Sequence, residues 1–307
     1  MSLETYLEEL TQEDIPLKYG EFLELSSLDS DDMELIQEVW PQLSPERRLD
    51  LVSRLVETSE ENIDMDFTPI FKLALKDEAE FVRCKAVSGL WECEDRPLIT
   101  TFIKLLEGDP STEVRTAAAQ ALGKFAVLAE DGKLLSLDNG RIQGALLPLV
   151  KSEDLPLILR RRALESVGVF SSDEITQTID WAYKHDDTEM QQSAIFAMGR
   201  NADFQWTEVI RAALDREEPA IRYEAALACG ELGEEEMVPD LLPLLKDEDL
   251  QVRLSSINAL GSIGGSLAKK ALTACLKSDD DVVSQTAEEA LESMESNDDP
   301  LNFKYHS

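Results

Sequence analysis

The strongest constraint on this chain is a period. The phrase Leu159-Arg160-x-x-Ala163-x-x-Ser166-Val167-Gly168 returns at Met190 to Gly199, at Ile221 to Gly230 and at Val252 to Gly261, and closes in a degenerate copy, Val283 to Glu292. Its first apolar residue falls at 159, 190, 221, 252 and 283, a step of 31 residues four times over. Two earlier copies open at Val82 and Val114, at nearly the same step. A fixed step of this length means a row of like supersecondary units, each of which buries its apolar face only against its neighbours.

Within the unit Ile221 to Lys246, Ile221, Ala225, Ala228 and Cys229 share one face of a helix. Gly230 to Gly233 reads as its C-terminal break. A second helix carries Met237, Leu241, Leu244 and Leu245 at the same spacing. The fifth position of the phrase is Ala86, Ala118, Ala163, Ala194, Ala225, Ser256 and Ala287; the eighth is Gly89, Ala121, Ser166, Ala197, Ala228, Ala259 and Ala290. Side chains this small let neighbouring helices approach closely. The expected fold is all-α: a right-handed α-solenoid, or superhelix, of antiparallel helix pairs with repeats of about 31 residues.

These residues resemble HEAT-like repeats of the PBS-lyase type, found in bacterial HEAT-repeat proteins. The resemblance rests on Asp247, Val252-Arg253, Ser256 and Ala259-Leu260-Gly261 with their equivalents, and covers roughly residues 70–295. The class includes bilin lyases, deoxyhypusine hydroxylase and many plain scaffolds, so the resemblance implies a fold and leaves the function open.

Around the repeats the expected organisation is an N-terminal helical cap over residues 1–60, a HEAT-like solenoid over 61–295 and a flexible tail over 296–307. In the cap, Leu3 to Leu10, Leu17 to Leu25 and Met33 to Trp40 read as short amphipathic helices, the third capped by Ser30 or Asp31. Ser44 and Pro45 open a longer helix with Leu49, Val52, Leu55 and Val56 on its apolar face. A partner-binding arm is the sharper alternative for this segment. Between Val114 and Leu159 the step lengthens, through an insertion placed at 124–140 and read as a longer helix end followed by a loop, either functional or idle.

Asp and Glu number 63 against 29 Lys and Arg, a net charge of −34. Nucleic acid is therefore not expected as a partner, since it requires a basic stripe. The start of the chain lacks a basic, then apolar, leader, and no run of apolar residues is long enough for a membrane span, so the expectation is a cytoplasmic protein without a membrane partner. The cysteines, Cys84, Cys93, Cys229 and Cys275, show no paired motif and fit a reducing compartment; Cys229 fills a slot held elsewhere by Leu122 and Leu260.

No residue pattern calls for a catalytic centre, a metal or another cofactor. There are two histidines, His306 in the tail and His185 in the turn slot held elsewhere by Asp77, Asp109, Asp154 and Asp247. The hydroxylases of the class carry paired His-Glu motifs for two irons; this chain has no His-Glu dipeptide, so the resemblance does not extend to that chemistry. Acidic runs at Asp29 to Asp32, Glu234 to Glu236 and Asp279 to Asp281 lack a calcium-loop frame. The recurring Arg83, Arg115, Arg160, Arg222 and Arg253, with the recurring aspartates Asp77, Asp109, Asp154 and Asp247 five residues before an anchor, read as a structural ladder in which Asp caps a helix and Arg bonds turn carbonyls or the next Asp. The ladder breaks at Gln191 and Ser284.

Trp181 stands apart. It lies off the face formed by Ile175, Ile179 and Ala182, among Glu174, Gln177 and Lys184. Second helices of HEAT stacks line the concave face, by resemblance, so Trp181 is either an interface anchor or a packing residue at a local bend. Trp206 falls in a core slot, and Trp91 replaces the glycine at the end of the phrase and would wedge against the cap. The expected function is a non-enzymatic scaffold or adaptor, acting as a monomer, that binds a protein or peptide segment on the concave face through Trp181, Lys184, Gln177, Glu208 and Arg211. The alternative is a subunit of a bilin-lyase-like, chromophore-handling complex.

Overall fold

Helices account for every regular element of the described residues of this computed structural model, 2–298, with side chains to Glu295. They fall into two compact units, one running to Leu149 and including Asp154–Leu159, the other made of Val150–Glu153 and the chain from Arg160 onward.

The first unit opens with α1 (Leu3–Leu10), a 3-10 turn (Tyr19–Leu25) and α2 (Ser30–Val39). The cap of α2 is Asp29, one residue earlier than the sequence suggests: its carboxylate accepts the Asp31 and Asp32 amides, and the Asp32 carboxylate accepts the Asp29 amide in return. Next comes α3 (Pro45–Glu61), where Ser44 Oγ accepts the Arg47 amide. Its buried residues include Leu51, Val52, Leu55 and Val56, while Leu49 is only half-buried. Then follow α4 (Thr68–Ala74), α5 (Glu80–Gly89), α6 (Pro97–Gly108), α7 (Thr112–Glu130) and α8 (Ser136–Val150). Helix α5 packs on α3 and on α7, and α6 packs on α7. The insertion is mostly helix: α7 runs on to Glu130, a turn with Gly132 at φ +73° reverses the chain, and Gly140 already lies inside α8. The expected loop thus shrinks to residues 131–135.

The second unit holds α9 (Leu157–Val167) from Arg160 on, α10 (Asp173–Tyr183), α11 (Thr188–Asn201), α12 (Thr207–Ala213), α13 (Pro219–Leu232), α14 (Val238–Leu241), α15 (Leu250–Ile263), α16 (Gly265–Cys275) and α17 (Asp281–Asp298). The odd-numbered helices are the first helices of the repeats, and they begin at 157, 188, 219, 250 and 281. Helix α11 packs on α13, α13 on α15 and α15 on α17, with α10, α12 and α16 set against α11, α13 and α17, an α-solenoid arrangement. Helix α17 continues to Asp298, and the rest of the expected tail, 299–307, lies outside the described residues.

The small residues of the phrase do what their size suggests. All seven fifth-position residues, Ala86 through Ala287, are fully buried. The glycines at the end of the phrase, however, are not breaks. Gly199 and Gly230 lie inside α11 and α13. A Cβ on Gly199 would sit 2.9 Å from Ala228 Cα, one on Gly230 3.1 Å from Ala259 Cα, and one on Gly261 2.8 Å from Ala290 Cβ. Each glycine therefore makes room for the eighth-position alanine of the next repeat, and close helix approach, rather than backbone freedom, keeps it a glycine.

The helices end three residues later, at a left-handed residue: Gly233 closes α13 at φ +69°, and the equivalent residue of α11 is Ala202 at φ +53°. A Cβ is strained in that region. Ala202→Gly is therefore expected to raise stability by about 1 kcal/mol, read as a higher urea midpoint at constant slope.

The second helices are less regular. Pro239 and Pro243 divide the stretch 235–246 into a 3-10 turn, the four-residue α14 and a second 3-10 turn, because neither proline can donate a helical hydrogen bond. Met237 and Leu241 are fully buried there, and Leu245 is half-buried. Cys229 is wholly enclosed on α13, where burial pushes its thiol up to about 12, so it serves as an apolar core residue.

Candidate functional site

The arginine ladder sets the frame for the site. Arg83 holds Asp109 with Nε and Nη2, both at 2.8 Å, while Nη1 donates to the Asp77 and Glu78 carbonyls. Arg222 repeats the pattern on Asp247 at 2.7 and 2.8 Å, with Nη1 on the Arg216 and Glu217 carbonyls. Arg253 bonds the Asp247 and Glu248 carbonyls and reaches Asp280 at 3.4 Å. Bidentate pairing of this kind fixes both partners, and the Arg222 hydrogen bonds hold the Asp247 carboxyl below the usual carboxylate range. The aspartates do not cap the helices, as the sequence suggests. Asp77, Asp109 and Asp247 each accept the amide two residues on, closing the turn, and the N-cap positions are Ala79, Ser111 and Asp249.

In the second unit two rungs depart from this pattern. At the first, the aspartate slot holds Arg216 and the arginine slot holds Gln191; the pair survives with its donor reversed, as Arg216 Nη2 donates to Gln191 Oε1 at 3.2 Å. At the second, Arg160 has no carboxylate. Its Nε donates to the Val150 carbonyl at 3.0 Å, the residue is buried, and Nη2 has no hydrogen-bond partner. The slot that should answer it is His185, whose Nδ1 accepts the Asp187 amide at 3.0 Å. The turn reading of His185 therefore holds.

Trp181 sits over this rung. It is half-buried on α10, with the Arg160 guanidinium 5.9 Å and Lys151 Nζ 5.7 Å from its ring centroid. His185 meets it edge-on at 5.4 Å. A ring with two cations this close to its centroid is held by its quadrupole as well as by its area. Part of Trp181 therefore packs against Arg160, and part remains at the surface. Gln177 and Lys184 are exposed on the same helix and just past its end, and Lys184 pairs with Asp180 at 2.7 Å. Glu208 and Arg211 lie on α12 and pair with each other; Arg211 also holds Asp240 at 2.7 Å, which raises its already high pKa. No described hydrogen bond or ion pair joins the α10 group to the α12 pair.

Trp206 is buried as expected, its indole donating to Asn201 at 3.0 Å. Trp91 is not wedged: it is 58% exposed just beyond α5. Phe196 is a further exposed aromatic, one that the sequence pattern alone does not single out. It borders a groove of about 420 Å³ across α11, α13 and α15 that also takes in Leu227 and Glu224. Its slot in the phrase is polar in five other copies, Ser88, Gln120, Glu165, Asn258 and Glu289, and apolar again only at Leu227, which is the signal that could have found it. Among the described residues no group of acidic, histidine and cysteine side chains is arranged to hold a metal ion, and no helix is long and apolar enough to cross a membrane.

Among solved structures the chain is similar to importin beta, at 15% identity over 89% of this chain and 43% of that one with a TM-score of 0.49. It is similar to the E. coli protein YibA, at 16% identity over 81% and 97% with a TM-score of 0.46, and to human deoxyhypusine hydroxylase, at 20% identity over 95% and 97% with a TM-score of 0.31. At such low identity and overlap these neighbours carry no argument about activity. No curated protein matches the sequence. The HEAT repeats family matches residues 68–136 and 207–292, which span α4 to α7 and α12 to α17. With the buried alanines, the glycine contacts and the arginine rungs, that match makes this chain a member of the HEAT repeat family.

Proposed function

We propose that the chain is a non-enzymatic scaffold that binds a segment of another protein along its second-helix face, the concave face in solenoids of this kind. HEAT repeats are typical of protein-interaction scaffolds. The observation that carries the reading is Trp181, a half-buried aromatic on α10 with two cations near its ring, beside exposed Gln177 and Lys184. Half-buried aromatics with charged rims are the usual anchors of interfaces. Glu208 and Arg211 on α12 extend the polar rim, although Arg211 would have to share its contacts with Asp240. The acidity of the chain disfavours nucleic acid as the partner.

The test is an affinity capture from the native cell extract with wild type beside Trp181→Ala. The expected result is a protein retained by wild type and reduced at least about tenfold in the variant, the size of a central anchor lost. Equal retention would make Trp181 a packing residue and remove this face from consideration.

A further inference from the structure

Along the ladder, a carboxylate from the following turn completes each arginine that can reach one. His185 stands to Arg160 as Asp247 stands to Arg222, at the same separation along the chain. The imidazole does half of the aspartate's work. His185 Nδ1 accepts the Asp187 amide at 3.0 Å, as Asp247 Oδ1 accepts the Asp249 amide at 2.9 Å. It cannot do the other half. With Nδ1 accepting, the ring proton lies on Nε2, and a donor cannot receive a guanidinium.

Arg160 therefore falls back on the Val150 carbonyl. Arg115 does likewise with the Leu106 carbonyl at 2.8 Å, but it is only half-buried. Of the five ladder arginines, Arg160 is the one with a terminal nitrogen both buried and unbonded. A buried cationic donor without an acceptor is costly, and what would complete it is one carboxylate.

We infer that this incomplete rung is a binding site for a carboxylate of the partner protein, the side chain of an aspartate or glutamate. The inference rests on the reading of the α10 face as a contact surface and names the chemistry of what it contacts. The incoming carboxylate takes the place of the missing ladder aspartate: Arg160 donates to it, Lys151 adds a second positive charge nearby, and the Trp181 ring, 5.9 Å from the one and 5.7 Å from the other, lines the site. Lys151 is exposed, and Trp181, whose ring centroid lies 5.9 Å from the Arg160 guanidinium, is half-buried, so the rung lies beside surface side chains. The net charge of −34 selects against an acidic tract and in favour of a single carboxylate in an otherwise neutral or basic segment, because the repulsion is screened beyond about 8 Å while the two cations act at contact.

The probe is a capped tripeptide with one central aspartate, Gly-Asp-Gly blocked at both ends, beside its asparagine counterpart and sodium acetate. The readout is the Trp181 indole N–H resonance of the full chain, assigned with Trp181→Phe. A saturable shift with the aspartate peptide and none with the asparagine peptide is expected. His185→Asp supplies the ladder's own carboxylate, so it is expected to weaken peptide binding at least about tenfold and to raise the melting temperature. Absence of a saturable shift in folded wild type, an equal shift with the asparagine peptide, or undiminished binding in His185→Asp would overturn the proposal. An equal shift with acetate would assign the site to small anions and overturn it as well. A partner lost in Trp181→Ala but kept in His185→Asp would leave the face in place and remove the carboxylate; a partner kept in both would remove the face itself.

Discussion

Asp77→Ala is expected to destabilise the first unit by about 3–5 kcal/mol, the cost of breaking a buried charge pair from one side. Asp77 is buried and completes three other groups. Its Oδ2 accepts the Trp40 indole at 2.7 Å and lies 2.8 Å from Arg48 Nε; its Oδ1 accepts Arg48 Nη2 at 3.2 Å and the Ala79 amide at 2.9 Å. Alanine would leave the buried Arg48 without a counter-charge and Trp40 without an acceptor, in a pocket that water does not readily enter. The measurement is urea unfolding followed by tryptophan fluorescence and checked by circular dichroism. A loss below about 1 kcal/mol would mean that the pair adds no more than an exposed salt bridge does.

Gly199→Val carries the second large effect. The new Cβ would lie 2.9 Å from Ala228 Cα and 3.0 Å from its Cβ, so α11 and α13 must move apart. Overpacking of this kind costs about 1–3 kcal/mol, with the upper end expected because a backbone atom is in the way. The gain in helix propensity on losing a glycine recovers less than about 1 kcal/mol of that. Gly144, inside α8 with nothing within 4 Å of its Cβ position, is the internal comparison. Gly144→Ala keeps the propensity gain without the clash and is expected to stabilise by about 0.5–1 kcal/mol. The same sign for both substitutions in thermal unfolding would refute the account of the glycine contacts.

These two cases mark what the sequence could and could not convey. The repeat, the burial of the fifth-position alanines, the turn role of His185 and the burial of Trp206 are all legible, because each depends on periodicity or on local turn chemistry. The glycines invite a reading as helix breaks because glycine near the end of an apolar pattern ordinarily is one. That the helices run three residues further, and that each glycine faces the alanine of the following repeat, depends on the distance between neighbouring helices. The insertion at 124–140 resembles a loop for the same reason: Gly132 marks a true turn, but Gly140 is helical. Of the proposed contact residues, the position of Trp181 off the α10 core face is legible. Its two cations are not, since Arg160 lies on α9 and Lys151 precedes that helix, both well before Trp181 in the chain. Nor is the engagement of Arg211 by Asp240, which comes from the following repeat.

The glycine–alanine contacts also bear on how such a chain can change length. Residues 219–249 present Ala228 to the glycine before them and Gly230 to the alanine after them, and their arginine rung, Arg222 to Asp247, closes within the same stretch. A tandem copy of that stretch would meet at each seam the same glycine–alanine contact the original meets. Growth or loss by whole units therefore keeps glycine facing alanine along the first helices, whereas a deletion of part of a period would break that register. The chain can be lengthened or shortened only in its own currency, one complete period at a time.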